Sequence, residues 1–222
     1  MTRQGAAWAI AVALLVVTGC GSDGADDPGP AAVVHGSAGD AGPVAGAEVA
    51  PAFPLPPADL ISDAGAAVRL DRALDAPVTV FFFGYTRCPD VCSLVMADLT
   101  LAVARLPDEI RDDVQVAFVT SDPVRDTPAA LRAYLDRFDQ DFVGFTGELE
   151  TIVETAGTMG VAVEQGSRLP SGGYEVAHGA QLVGYVHDAG VVVWTEGVPV
   201  DDLTSDLASL VEQASTDDGR EG

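Results

Sequence analysis

The stretch that most constrains this chain is Val78-Thr79-Val80-Phe81-Phe82-Phe83, followed at once by Gly84-Tyr85-Thr86-Arg87-Cys88-Pro89-Asp90-Val91-Cys92. The first part, after Pro77, is the continuous apolar, β-rich run that a strand buried on both faces requires. From residue 88 to 106 the apolar positions Val91, Leu94, Val95, Leu99, Val103 and Leu106 recur at helical spacing. Pro89 then falls in the first turn, where a missing N–H costs nothing. A buried strand feeding directly into a helix places the chain among α/β proteins.

The rest of the pattern extends this beginning. Residues 67–70 predict a short strand, and residues 114–120 a second buried one. Residues 127–138 predict a helix with Thr127 as N-cap and Pro128 in the first position. Residues 148–159 predict another helix. Residues 182–186 and 191–194 form a hairpin around His187-Asp188-Ala189-Gly190, and residues 199–212 a closing helix. A βαβ unit followed by a ββα unit predicts a thioredoxin-like mixed sheet flanked by helices. Residues 144–176 exceed that minimal plan and read as an inserted helix and irregular strand before the final hairpin.

The ends read differently. Residues 1–20 carry Arg3, an apolar core from Ala6 to Val17, and Val17-Thr18-Gly19-Cys20. This has the length of a signal peptide and is short for a membrane span. Its last four residues resemble a bacterial lipoprotein processing box, which implies cleavage before Cys20 and lipid on that cysteine. A plain signal peptide with an incidental cysteine is the other reading. Residues 21–50 are rich in Gly, Ala, Asp and Pro and read as a flexible tether, in which His35 is a solvated loop residue. The expected organisation is a leader at 1–19, lipidated Cys20 and tether at 20–50, a folded domain at 51–214 and a disordered tail at 215–222. The expected location is the extracytoplasmic side of the cell membrane, held by lipid.

Charge narrows the function. The 222 residues hold 34 Asp and Glu against 11 basic residues, all of them Arg, for a formal net charge of -23. Nucleic-acid binding needs a basic face to neutralise phosphates, so that class is excluded. The acidity reads first as a solvated surface and second as an attraction for cations or basic partners.

The chemistry sits in Cys88 and Cys92. A helix N-terminus presents unpaired N–H groups and partial positive charge, and both favour thiolate, the form that binds metal and attacks disulfides. At i and i+4 on one helix the two sulfurs would share a face. Disulfide reductases of this fold use Cys-x-x-Cys and a cis-proline before the facing strand. Here that segment is Val176-Ala177-His178-Gly179-Ala180-Gln181. Two thiolates and the His178 imidazole make a soft three-ligand site suited to Cu(I) and able to hold Cu(II). Zinc would usually want a fourth ligand. A structural disulfide or passive core thiols are the alternatives for the pair, and a solvated loop residue is the alternative for His178. His187, in the hairpin turn, reads as structural.

Four segments resemble the Sco/SenC family of copper chaperones. Phe83 to Cys92 resembles its copper motif. Ser121-Asp122-Pro123-Val124-Arg125-Asp126-Thr127-Pro128 resembles its Ser-Val-Asp-Pro-x-Arg-Asp-Thr-Pro block, one residue shorter between Ser and Asp. Gly144-Phe145-Thr146-Gly147 resembles its Gly-Leu-Thr-Gly turn, and Tyr174-Glu175-Val176-Ala177-His178 its Tyr-x-Val-Asp-His segment. The resemblance implies copper ligation by Cys88, Cys92 and His178, with Asp122 a nearby carboxylate that influences the site. A capping or turn role before Pro123 is the other reading of Asp122. Arg125 and Asp126 read as holding their loop together. The sequence departs from the pattern at Ala177, where the family has Asp, at Ser93, where it has Pro, and at Gly179, where it has Ser or Thr.

The implied function is a metallochaperone. It would receive copper from another extracytoplasmic carrier and deliver it to the binuclear copper site of cytochrome c oxidase subunit II. The alternative is a thiol–disulfide reductase that keeps that site's cysteines reduced, with Cys88 as the attacking thiolate. A peroxide-reducing enzyme ranks last, because Gly84-Tyr85-Thr86 lacks the proline of the peroxide-activating segment.

Overall fold

A computed structural model describes residues 33–35, 44–168, 174–178 and 180–221; of these, 33–35, 164–168, 174–178 and 218–221 are described as backbone. In chain order the elements are β1 (Val33–His35), β2 (Ala47–Pro54), β3 (Asp59–Ser62), β4 (Ala67–Arg69), β5 (Val78–Gly84), α1 (Val91–Ala104), α2 (Asp108–Arg111) and β6 (Val114–Thr120). There follow α3 (Pro128–Leu135), β7 (Val143–Thr146), α4 (Leu149–Thr158), β8 (Val163–Arg168), β9 (Tyr174–His178), β10 (Leu182–Val186), β11 (Ala189–Trp194) and α5 (Val200–Glu221).

Every residue of β5 is buried. Because side chains alternate along a strand, β5 feeds two cores. Val78, Val80 and Phe82 join α1, α3 and α5 through Leu99, Leu131 and Leu207. Phe81 and Phe83 point the other way, to α4 through Ile152 and Ala156. Each fully buried Phe stabilises the fold by roughly 1.5–3 kcal/mol, so this central strand fixes both layers at once.

The main sheet has nine strands among the described residues, in the order β1-β2-β11-β10-β5-β6-β7-β3-β4. β5, β6 and β7 are parallel, with Val78 opposite Val114 and Gly84 opposite Thr120. β10 runs antiparallel to β5, and β11 antiparallel to β10. This is the expected mixed thioredoxin-like sheet, with the βαβ unit β5-α1-β6 and the closing unit β10-β11-α5. The expected insertion is present as α4 and a separate two-stranded sheet, β8-β9. The α3 start matches expectation: Thr127 is the N-cap, its hydroxyl accepts from Ala130 N–H at 3.3 Å, and Pro128 opens the helix.

Several elements depart from the sequence reading. Gly144-Phe145-Thr146 lies in the parallel strand β7, a four-residue element too short for a periodic signal. The hairpin turn is tighter, since Val186 pairs with Ala189, and His187 takes the left-handed conformation at φ 53°. The closing helix runs to Glu221, past the expected end at 212 and through the tail expected at 215–222, and Ala214 is buried against the core.

The domain also begins earlier than position 51. Residues 47–50 belong to β2, which pairs with β11. Buried Asp206 of α5 secures the approach, accepting from Ala45 N–H at 2.8 Å, Gly46 N–H at 3.0 Å and the Trp194 indole N–H at 2.6 Å. A Cβ on Gly46 would lie 2.4 Å from Val192 Cγ2, so glycine lets the backbone come this close. Composition alone hid this segment, because its order comes from a partner 160 residues away. Replacing Asp206 with Ala is expected to cost about 2–3 kcal/mol, since its hydrogen bonds are charge-assisted. Thermal unfolding would show it, with earlier hydrogen exchange in β2 as the local sign.

Candidate metal centre

Cys88 and Cys92 lie where β5 passes into α1. The helix begins at Val91, not at Cys88, because N-cap Asp90 has φ −139° and ψ −95° and makes no side-chain capping bond. Cys88 is therefore a loop residue, and the expectation that both cysteines share one helical face is corrected. The loop itself brings them together. Cys88 N–H donates to the Tyr85 carbonyl at 3.1 Å, closing a turn. Cys92 N–H then points at Cys88 Sγ at 3.5 Å. The sulfur thus takes an N–H of the first helical turn, a place usually filled by a capping oxygen.

The two cysteines are not joined in a disulfide and sit in unlike settings: Cys92 is buried and Cys88 is partly exposed. Gly84 is why Cys92 can sit so deep. A Cβ at Gly84 would fall 3.2 Å from Cys92 Sγ, 3.0 Å from the Phe82 ring and 3.1 Å from the Phe118 ring. Burial pushes the Cys92 thiol well above its ordinary range, and its hydrogen bond with Cys88 adds to this. Burial likewise raises the hydroxyl of Tyr85, and the neighbouring Cys88 and Cys92 raise it further.

The segment whose Arg125 and Asp126 read as holding their own loop together packs beside the thiol loop. Asp126 is fully buried. Its carboxylate accepts from Thr86 N–H at 2.9 Å, Thr86 Oγ1–H at 2.6 Å and Thr120 Oγ1–H at 2.7 Å. Ser121 N–H and Oγ–H both donate to the Gly84 carbonyl, at 2.7 and 3.1 Å. Asp122 is also buried and ion-pairs with Arg125, whose guanidinium lies 6.0 Å from the centre of the Tyr85 ring. Burial raises the Asp122 carboxyl above the usual carboxylate range, and the Arg125 pairing opposes it. Asp122 therefore reaches the thiol loop through Arg125 and Tyr85.

His178 is the last residue of β9, with its backbone opposite Val163 of β8. Its side chain, and Cys20, lie outside the described residues. Among the described residues no three His, Cys, Asp or Glu side chains gather as a metal-binding group. Sequence reasoning gave Gly84 and Thr86 no role beyond their place in the motif and passed over Tyr134. The last is a buried residue of α3 whose ring centroid lies 5.4 Å from that of Phe118. Only contact with the loop or its supports singles these out.

Burial pushes the Tyr134 hydroxyl up to about 12. A neutral group whose folded pKa exceeds its unfolded value contributes stability that is fully present below the unfolded value. That contribution is lost as pH rises through the folded one. With Cys92 shifted in the same direction, the metal-free protein is expected to lose stability from about pH 8.5, the ordinary thiol value, upward through about pH 12. Melting temperatures should hold between pH 7 and about pH 8.5 and fall from there to pH 11, and a flat profile over that upper range would contradict these burial effects.

Comparison with known proteins places this geometry. Residues 53–212 match the SCO1/SenC family model. Among solved structures, Arabidopsis thaliana ScoI with copper bound is 28% identical with a TM-score of 0.65, covering 73% of this chain and 99% of that one. The apo Sco1 protein of Thermus thermophilus is 31% identical with a TM-score of 0.67, covering 75% and 96%. Among curated sequences, protein sco1 of Schizosaccharomyces pombe is 34% identical over 82 residues, 37% of this chain and 31% of that one. A SCO2-like protein of Rickettsia conorii is 34% identical over 94 residues, 42% and 45%. The chain thus spans half or less of the length of the curated relatives it matches. No described helix is long and apolar enough to cross a membrane. Because the family match runs unbroken through the thiol loop, the Asp122–Asp126 segment and the β8-β9 hairpin, this chain belongs to the SCO1/SenC family.

Proposed function

We propose that this chain is a copper carrier that binds one ion through Cys88, Cys92 and His178 and hands it to the binuclear copper site of cytochrome c oxidase subunit II. The observation that carries the reading is a pair of cysteines outside any disulfide, with Cys88 Sγ 3.5 Å from the Cys92 backbone nitrogen, in a family with copper-bound members. Two soft sulfurs and an imidazole suit Cu(I) and tolerate Cu(II). The partly exposed Cys88 supports transfer by ligand exchange, in which an incoming thiolate or imidazole displaces it first while buried Cys92 still holds the ion. Another extracytoplasmic copper carrier would act as donor.

The organisation proposed with this function is a leader at 1–19 and a lipid on Cys20 that holds the domain at the outer side of the membrane. The test of the function is copper titration of the full-length chain. One equivalent retained against dialysis, with sulfur-to-copper absorption in the Cu(II) form, supports it; no stoichiometric copper overturns it.

The second reading is a thiol–disulfide reductase acting on the same target's cysteines. The contrast between a partly exposed Cys88 and a buried Cys92 favours it, since one thiol can attack while the other resolves the mixed disulfide. Exchange chemistry does not need His178, so a His178→Ala chain that still reduces a disulfide substrate at the wild-type rate, without binding copper in either form, would select this reading.

A further inference from the structure

The β5–β6 ladder ends at Gly84 opposite Thr120, so it stops four residues short of Cys88. Beyond it, one anchor reaches further into the loop. The Asp126 carboxylate takes both the backbone N–H and the hydroxyl of Thr86, and its third bond, from Thr120 Oγ1, ties this grip to the end of β6. Arg125, its chain neighbour, pairs with Asp122, so the Asp126 carboxylate is engaged by neutral donors. A buried carboxylate is costly to keep unless it is hydrogen-bonded, and here the donors that satisfy it belong to the loop that presents Cys88.

We propose that Asp126 is a positioning residue that acts through Thr86 to hold Cys88 at the metal centre, and so sets how slowly the bound ion leaves. The inference rests on the copper reading above. Cys92 is held by its helix and by burial, whereas Cys88 is on the loop and partly exposed. Exchange therefore begins when Cys88 swings away, and the clamp two residues earlier limits that swing. Loss of the hydroxyl bond leaves the loop freer in the unloaded protein, so that ordering must be supplied when metal binds.

The test compares wild type, Thr86→Val and Thr86→Ser in the full-length chain. Copper loss to a Cu(I) chelator and the rate of Cys88 alkylation in the metal-free protein, followed by peptide mapping, are both measured. Thr86→Val is expected to raise both rates roughly tenfold, the equivalent of one charge-assisted hydrogen bond. Thr86→Ser, which keeps the hydroxyl, is expected to restore both. Unchanged rates in Thr86→Val, or equal acceleration in Thr86→Ser, would overturn the clamp. Should Thr86→Val fail to fold, Asp126→Asn, a weaker acceptor of the same size, carries the same comparison. If wild type holds no copper, the copper reading fails, while the alkylation rates still decide whether the clamp holds Cys88.

Discussion

Replacing Cys92 with serine is expected to abolish copper retention, with a loss beyond the roughly 100-fold that removing an outer partner of a metal ligand costs. The hydroxyl is a hard donor, and at neutral pH it stays protonated, so Cu(I) would be left with one sulfur. The position is also poor for rescue. Cys92 is fully buried and shares its core with Phe82 and Phe118, so a serine there is poorly reached by the solvent that could substitute for the lost sulfur. His178→Ala should weaken binding less, because both soft ligands remain, and should lower Cu(II) retention more than Cu(I), since imidazole is the harder donor. Competition with chelators of graded affinity would measure both variants. A Cys92→Ser chain that keeps one tightly held equivalent would sink the proposed ligand set.

The largest expected effect on the fold is from Phe82→Ala, about 3–5 kcal/mol, the usual cost of emptying a buried aromatic site. Phe82 is fully buried, with its ring edge-on to Phe118 at 5.9 Å between centroids, and Phe118 in turn packs on Tyr134. Against a total stability on the order of 5–15 kcal/mol, that is a large fraction. The same ring lies beside Gly84 and the Cys92 sulfur, so the cavity would open next to the metal centre. Thermal unfolding and Cys92 alkylation should therefore move together. Phe83→Ala, on the opposite face of β5, should lower the melting temperature with a smaller effect on Cys92, because its neighbours are those of α4.

Much of this architecture was legible because the chain states it locally. The apolar run of β5, the periodic body of α1 and the Thr127-Pro128 start of α3 each carry their own signal, and each falls where expected. What the sequence concealed depends on distant partners. β2 looks like tether until Asp206 and β11 supply its bonds, and β7 is four residues held by β6 and β3. The thiol pair was legible as chemistry but not as geometry. Pro89 suggests a helix from Cys88, yet the backbone at Asp90 delays it to Val91, and the sulfur becomes the cap rather than a member. Asp126 read as holding its own loop, whereas its bonds to Thr86 and Thr120 tie it to the thiol loop and the end of β6.

The pairing of β2 with β11 has a practical consequence for any fragment of this protein. β11 is flanked by β10 on one side and β2 on the other. A fragment cut at residue 51 would remove residues 47–50, stripping the pairing from Val192 and Val193. It would also leave Asp206 with Trp194 alone of its three donor groups. The bare stretch of β11, Val191-Val192-Val193-Trp194, would then be an open hydrophobic edge, a template for strand addition between copies. Such a fragment is expected to self-associate, and its copper stoichiometry would then report the aggregate rather than the native fold.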